Sequence, residues 1–205
     1  DMGRGEPRRI FWKLTQQARY LAHPARHPTI GYIDAFLNVS REQIVDFYRR
    51  MYVPNNMVFV VVGDIDKQRV VDQIARLWQD VQPRDLPDLS FPVEPQLDRP
   101  RHAQDVADIQ RPRVRLAWPG TALAESGDYA LDLLGIILGG GESSRLVRNV
   151  RDDKRLVNTI DAYNLSFDWG KGFFGIDAEV VLQKPPADAA QAIEKVKAAI
   201  LEQVQ

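Results

Sequence analysis

The histidines are the first residues to weigh for chemistry, and His23 and His27 stand four apart. On a helix that spacing places two imidazoles on one face, an arrangement that holds a zinc ion. The segment reads His23-Pro24-Ala25-Arg26-His27-Pro28. A proline inside a helix removes a ladder hydrogen bond and clashes with the preceding turn, so this stretch is expected to be a loop. No glutamate lies between the two histidines, so H-x-x-E-H is not present there. The alternatives are a structural loop, which the prolines favour, and a ligand pair. His102 stands alone at the start of an expected strand and reads as solvated.

Gly139-Gly140-Gly141-Glu142-Ser143-Ser144 has the look of a phosphate cradle. It lacks G-x-x-x-x-G-K-[ST], and it follows a helix rather than a strand. Glycine is the usual C-terminal stop of a helix, so a helix-to-helix turn is the better reading. A second use stays open: at Gly140 and Gly141 a peptide backbone could approach closely. Ser143 and Ser144 lack the histidine and aspartate company of a nucleophile. Arg145, Arg148, Arg151, Lys154 and Arg155 form a basic run offset by Asp152 and Asp153. A solvated helix face is the plain reading. The alternative is an arginine that grips a substrate carboxylate or carbonyl.

Periodicity supplies the elements that must position these groups. Helices are predicted over 8–22, over 40–51, and after Asp66. Ser40 with Gln43 makes a capping-box pattern, followed by an apolar face of Ile44, Phe47, Tyr48 and Met51. Asp66 is the expected N-cap of a helix carrying Val70, Ile74, Leu77 and Val81. Met57–Val62 is a continuous β-branched run and predicts a buried strand. Pro83, Pro87, Pro92, Pro95 and Pro100 predict an extended, semi-rigid connector, with a domain boundary near residue 93. Beyond it, strands are predicted at 102–109, 113–118, 157–168 and 173–182, the last two joined through Gly170-Lys171-Gly172. A helix over 126–138 should turn Leu131, Leu134, Ile137 and Leu138 inward. Another runs from Ser143 through Arg151. A last helix opens at Pro185-Pro186 and carries Ala189, Ile193, Val196 and Ile200. The sum is α+β: two layers, mostly antiparallel strands with helices on one face.

Bulk properties narrow the classes. The 205 residues can bury a sizeable core in one large or two small domains. A formal net charge of −1 favours neither nucleic acid nor an anionic membrane. No apolar run approaches the roughly 20 residues of a membrane span. Absence of cysteine excludes disulfides and thiolate metal sites and leaves the compartment open. The N-terminus shows no signal-peptide pattern, and the last apolar-periodic stretch carries no stop signal.

Three stretches, in order, resemble the insulinase/pitrilysin family of zinc metallopeptidases, which includes the mitochondrial processing peptidases. His23-Pro24 to Gly31-Tyr32 is similar to the family's "HPyxxPxiG". Ser40 to Tyr48 continues into Tyr52-Val53-Pro54-Asn55-Asn56-Met57 and on to Gly63-Asp64-Ile65-Asp66, similar to "Y.P.NmvlvvvGDvd". Leu138 to Leu146 is similar to "LGgGmsSRLf". The resemblance spans nearly the whole chain and implies processing-peptidase-like domains. Residues 1–92 would be the C-terminal part of a first domain, and 93–205 most of a second, non-zinc-binding one.

The resemblance implies that the chain begins downstream of H-x-x-E-H and of the third zinc ligand. No residue here then inherits a catalytic or metal role, and no cofactor is expected in this chain. Zinc would belong to the full-length parent, where its upstream motif is intact. The parent would be a zinc metalloendopeptidase cleaving peptides bound in extended form, with this segment as scaffold and chamber wall. The alternative is a non-catalytic member that scaffolds an active peptidase. Implied partners are a peptide or protein substrate and the other family half, in the same chain or a homologous subunit, with no nucleic acid and no membrane. The bacterial periplasm is one expected compartment. Substrate-contact candidates are Arg151, Gly140 and Gly141. Asn158 stands where the family's paired tyrosine would be, seven residues after Arg151.

Overall fold

The computed structural model describes residues 7–88, 90–182 and 189–204. They divide into two compact units, one of Arg8–Asp105 and one containing Val106–Gln205.

The first unit is helical. It holds α1 (Pro7–Arg19), the short α2 (Ile33–Leu37), α3 (Arg41–Met51) and α4 (Lys67–Trp78). Local chemistry starts the last two. The Ser40 side chain accepts from the Gln43 N–H while Gln43 accepts from the Ser40 N–H at 2.8 Å, so two orphan donors are satisfied reciprocally. The Asp66 carboxylate caps α4 by accepting from the Arg69 N–H at 3.0 Å. The proline-rich connector lies against the end of α1. There the Glu94 carboxylate accepts from the Leu21, Ala22 and His23 N–H groups, at 2.6, 3.0 and 3.0 Å.

Met57–Val62 departs from the expectation of a buried strand. It is extended but pairs with no strand among the described residues, and Val58 and Val62 are 89% and 91% exposed. β-Branched side chains set an extended backbone locally, but a ladder and two covered faces must come from neighbouring chain. Phe59 lies edge-on to Trp78 of α4, centroids 5.6 Å apart. The apolar face of α3 (Ile44, Phe47, Tyr48) is exposed for the same reason.

The second unit is α+β. β1 (Arg113–Pro119), β2 (Val157–Phe167) and β3 (Gly170–Val180) form an antiparallel sheet in the order β1-β3-β2. The hairpin turns at Asp168-Trp169, since Phe167 already pairs with Gly170; the expected Gly170-Lys171-Gly172 turn belongs to β3. Phe174, Ile176, Ala178 and Val180 alternate onto the helix side, and all are buried. Against them pack α5 (Asp128–Gly139), a π-helix (Val147–Asp153) and α6 (Ala189–Val204), through Leu138, Leu146, Val150, Val196 and Ile200. The expected strand at 102–109 does not form; Val106 is exposed and a hydrogen bond from Ile109 N–H to Ala107 C=O bends the chain. Pro185-Pro186 lies outside the described residues.

Helix α5 presents a different face from the one its leucines suggest. Leu131 and Leu138 point to the sheet, but Leu134 and Ile137 are exposed, Ile137 by 62%. Gly135 and Gly139 take the closest contact: a Cβ added at Gly139 would lie 2.2 Å from the Ala162 nitrogen. The helix is apolar nearly all round, so periodicity alone could not choose the face. The following helix is an α-turn at Arg145-Leu146 that widens into the π-helix, with Val147 and Val150 buried. No described helix is long and apolar enough to cross a membrane.

Candidate functional site

The C-terminal end of α5 gathers the sequence-predicted contact residues. The Gly140 N–H closes the helix on the Ile136 carbonyl at 2.8 Å. Gly141 follows at φ 109°, in the left-handed region that side chains disfavour. The chain then presents Glu142, whose carboxylate accepts from the Arg151 guanidinium. Arg151 also donates to Asp152, Nε to Oδ1, at 2.8 Å. Arg151 and the glycine turn therefore meet at one corner of the unit.

That corner is charge-balanced. Hydrogen bonds to Glu142 and Asp152 push the Arg151 pKa further up, and Arg151 holds both carboxyls below their usual range. Such an exposed cluster adds little stability. It does orient the guanidinium, and a substrate carboxylate would have to compete with two internal ones. Asn158 is drawn elsewhere, donating to Glu179 Oε2 at 3.3 Å.

Beside the corner, between α5 and β2, lies an open cleft of about 270 Å³. Asp132, Gly135 and Ile136 line it from α5, Gly140 from the helix's C-cap, and Ala162, Tyr163 and Asn164 from β2. It exists because Gly135 and Ala162 have so little side chain; a Cβ at Gly135 would approach the Ala162 oxygen to 3.3 Å. Asn164 is fixed by its amide Nδ2, which donates to Asp128 Oδ1 at 2.7 Å and to Asp132 Oδ1 at 3.0 Å. Its Oδ1 is buried and has no hydrogen-bond partner among the described residues.

Asp128 anchors the other end of α5. It is buried in the first turn and also accepts from Thr121 Oγ1 at 3.0 Å. The Asn164 hydrogen bond is the leading cause that holds its carboxyl below the usual range, with Thr121 and Ser166 adding to it. Sequence reasoning missed Asp128, Asp132 and Asn164. The available signal was two aspartates four apart, on one face of an otherwise apolar helix.

The histidines do not fit a zinc pair. Pro24–Arg26 is a 3₁₀ turn, so His23 and His27 share no helical face. His23 Nδ1 accepts from the Ala25 N–H at 3.1 Å, and its ring lies near Tyr20 and Phe91. His27 Nδ1 is 3.0 Å from the Tyr32 hydroxyl. His102 is exposed. Among the described residues no group of three or more His, Cys, Asp or Glu is placed to hold a metal.

Comparison with known proteins finds similarity to peptidases. Residues 38–205 match a family model described as the peptidase M16 inactive domain. The zinc protease PqqE of Helicobacter pylori is 28% identical over 188 residues, 90% of this chain and 41% of that protein. An uncharacterized zinc protease of Streptomyces coelicolor is 31% identical over 157 residues, 74% of this chain and 34% of the relative. A solved protease from Helicobacter pylori superposes with a TM-score of 0.77 at 26% identity, over 97% of this chain and 48% of that one. The chain thus spans less than half the length of these relatives.

Proposed function

This chain belongs to the M16 peptidase family, and on that premise we propose that it is scaffold and chamber wall of a zinc metalloendopeptidase cleaving peptides bound in extended form. The observation that carries the reading is the match of 168 of its residues, 38 through 205, to the family's inactive-domain model. The zinc-protease names of the relatives support zinc in the parent. On this reading zinc belongs to the longer parent, and no step of metal chemistry falls to residues of this chain.

Residues 1–92 act as the C-terminal part of a first family domain, and 93–205 as most of a second. The exposed Met57–Val62 segment and α3 face support this, because both are apolar surfaces that ask for neighbouring chain. Those neighbours are further parts of the parent, in the same chain or in a homologous subunit. Arg151, Gly140 and Gly141 stand as substrate contacts at their shared corner. An extended substrate would engage a sheet edge through main-chain hydrogen bonds.

The inactive-domain description also favours a second reading, a non-catalytic member that scaffolds an active peptidase. One experiment separates the two. The longer protein that contains this chain is assayed for cleavage of an unstructured peptide, with and without a chelator. Chelator-sensitive cleavage is the expected result, and its absence would favour the scaffold. The 205-residue chain alone is expected to show neither cleavage nor stoichiometric zinc by atomic absorption. One tightly bound zinc per chain would overturn the assignment.

A further inference from the structure

We propose that His23 is the proton sensor of a clasp that holds the proline-rich connector on the C-terminal end of α1 and releases it in mild acid. The inference goes beyond the proposed function and draws on the first unit alone.

The clasp joins opposite chemistries. The Glu94 carboxylate accepts from the consecutive N–H groups of Leu21, Ala22 and His23, at 2.6, 3.0 and 3.0 Å. Arg101 donates to the carbonyls of Ala18 and Arg19, at 3.3 and 3.1 Å, and stands 4.0 Å from Glu94. Carbonyls in the last turn of a helix lack intrahelical donors, and the helix dipole favours a cation there. The Phe91 ring completes the contact, its centroid 4.9 Å from that of His23. The connector is held once more at Arg84, whose N–H and C=O both bond to the Asn55 side-chain amide. Beyond Asp105 the chain passes into the second unit.

His23 enters the clasp three times. Its N–H is one of the three on Glu94, and its ring meets Phe91 and Tyr20. Its Nδ1 accepts from the Ala25 N–H at 3.1 Å. That bond caps the 3₁₀ turn of Pro24–Arg26 and fixes the backbone that presents the Leu21–His23 donors. It requires the neutral ring with its proton on Nε2, because both nitrogens of a protonated imidazole are donors. A proton on Nδ1 sets N–H against N–H and breaks the cap. The charged and titratable groups of the surrounding elements are Arg19 and Tyr20 of α1, Arg26 of the turn, and Glu94 and Arg101 of the connector. Three guanidiniums and one carboxylate leave this neighbourhood net positive, so release into water also relieves like-charge repulsion. Glu94 is not the sensor. Burial pushes its carboxyl up, but the three N–H groups and Arg101 bring it below its usual range, so it stays ionised in mild acid.

NMR of the 205-residue chain tests this. The readouts are exchange protection of the Leu21, Ala22, His23 and Ala25 amides, corrected for intrinsic pH dependence, the ring carbon shifts of His23, and the NOE between the His23 and Phe91 rings. From about pH 7.5 to about pH 5, the interval in which histidine ordinarily gains a proton, the NOE should vanish. Protection should fall about fivefold over the same interval, the size of one lost hydrogen bond. Both changes should follow the ring titration of His23, while the amides of α6 keep their protection. His23→Asn offers Oδ1 to the Ala25 N–H and takes up no proton, so its protection should not change with pH. Glu94→Gln should weaken protection at both ends of the interval. Unchanged protection in the wild type, a midpoint that differs from that of the His23 ring, or a fall shared by the α6 amides would overturn the proposal. So would an equal fall in His23→Asn. If that variant is unprotected throughout, the wild-type midpoint decides alone.

Discussion

Arg155 ends the turn between the π-helix and β2 at φ 51°, a left-handed conformation in a residue with a Cβ. Arg155→Gly should therefore stabilise the second unit by about 0.5–1 kcal/mol, the left-handed penalty less glycine's greater unfolded freedom; urea denaturation measures it. Asp128 carries the clearest pH dependence. Its folded pKa is lowered, chiefly by the Asn164 hydrogen bond. Its contribution is thus fully present above the unfolded carboxylate value and fades as pH falls through the folded value. Asp128→Asn should lower the melting temperature at neutral pH and flatten its decline in acid, read by thermal scans across pH. None of these roles was legible in the letters. An Asp at a helix start reads as a cap or first-turn charge, and only β2 lying alongside turns it into a buried acceptor for Asn164, 36 residues away.

At the scale of elements, local chemistry was legible and facing was not. The capping box of α3 and the Asp66 cap of α4 form as the sequence predicts, because each needs only residues within one turn. Asp66→Ala should cost about 1 kcal/mol of stability, measured by denaturant unfolding. The face of α5 could not be read the same way. With leucine or isoleucine on every side, the choice fell to the residues that permit closest approach, Gly135 and Gly139. Gly139→Ala should cost about 3 kcal/mol or more, since its new methyl would sit 2.2 Å from the Ala162 backbone. Thermal denaturation checks this, and a neutral result would mean that α5 does not pack on β2 as described.

For the molecule as a whole, the outstanding feature is apolar surface without a cover. Met57–Val62 and the face of α3 expose valines and aromatics that a folded domain normally buries. The chain in isolation is expected to self-associate, and Val60→Lys, at a position 80% exposed, should reduce the association seen by light scattering. By itself the sequence determined the helix caps, the extended backbone of 57–62, the α+β class and the family pattern. Each of these rests on near neighbours or on motifs in order. Only the tertiary structure decided which face of α5 meets the sheet, that β2 is an edge among the described residues, and that Arg151 is shared between Glu142 and Asp152. It also brought Asp132 and Asn164 together over a cleft. Those outcomes depend on contacts between residues distant in sequence, and periodicity carries no information about which distant residue arrives. The glycine corner is thus a place where the sequence supplied the pieces and packing supplied their partners.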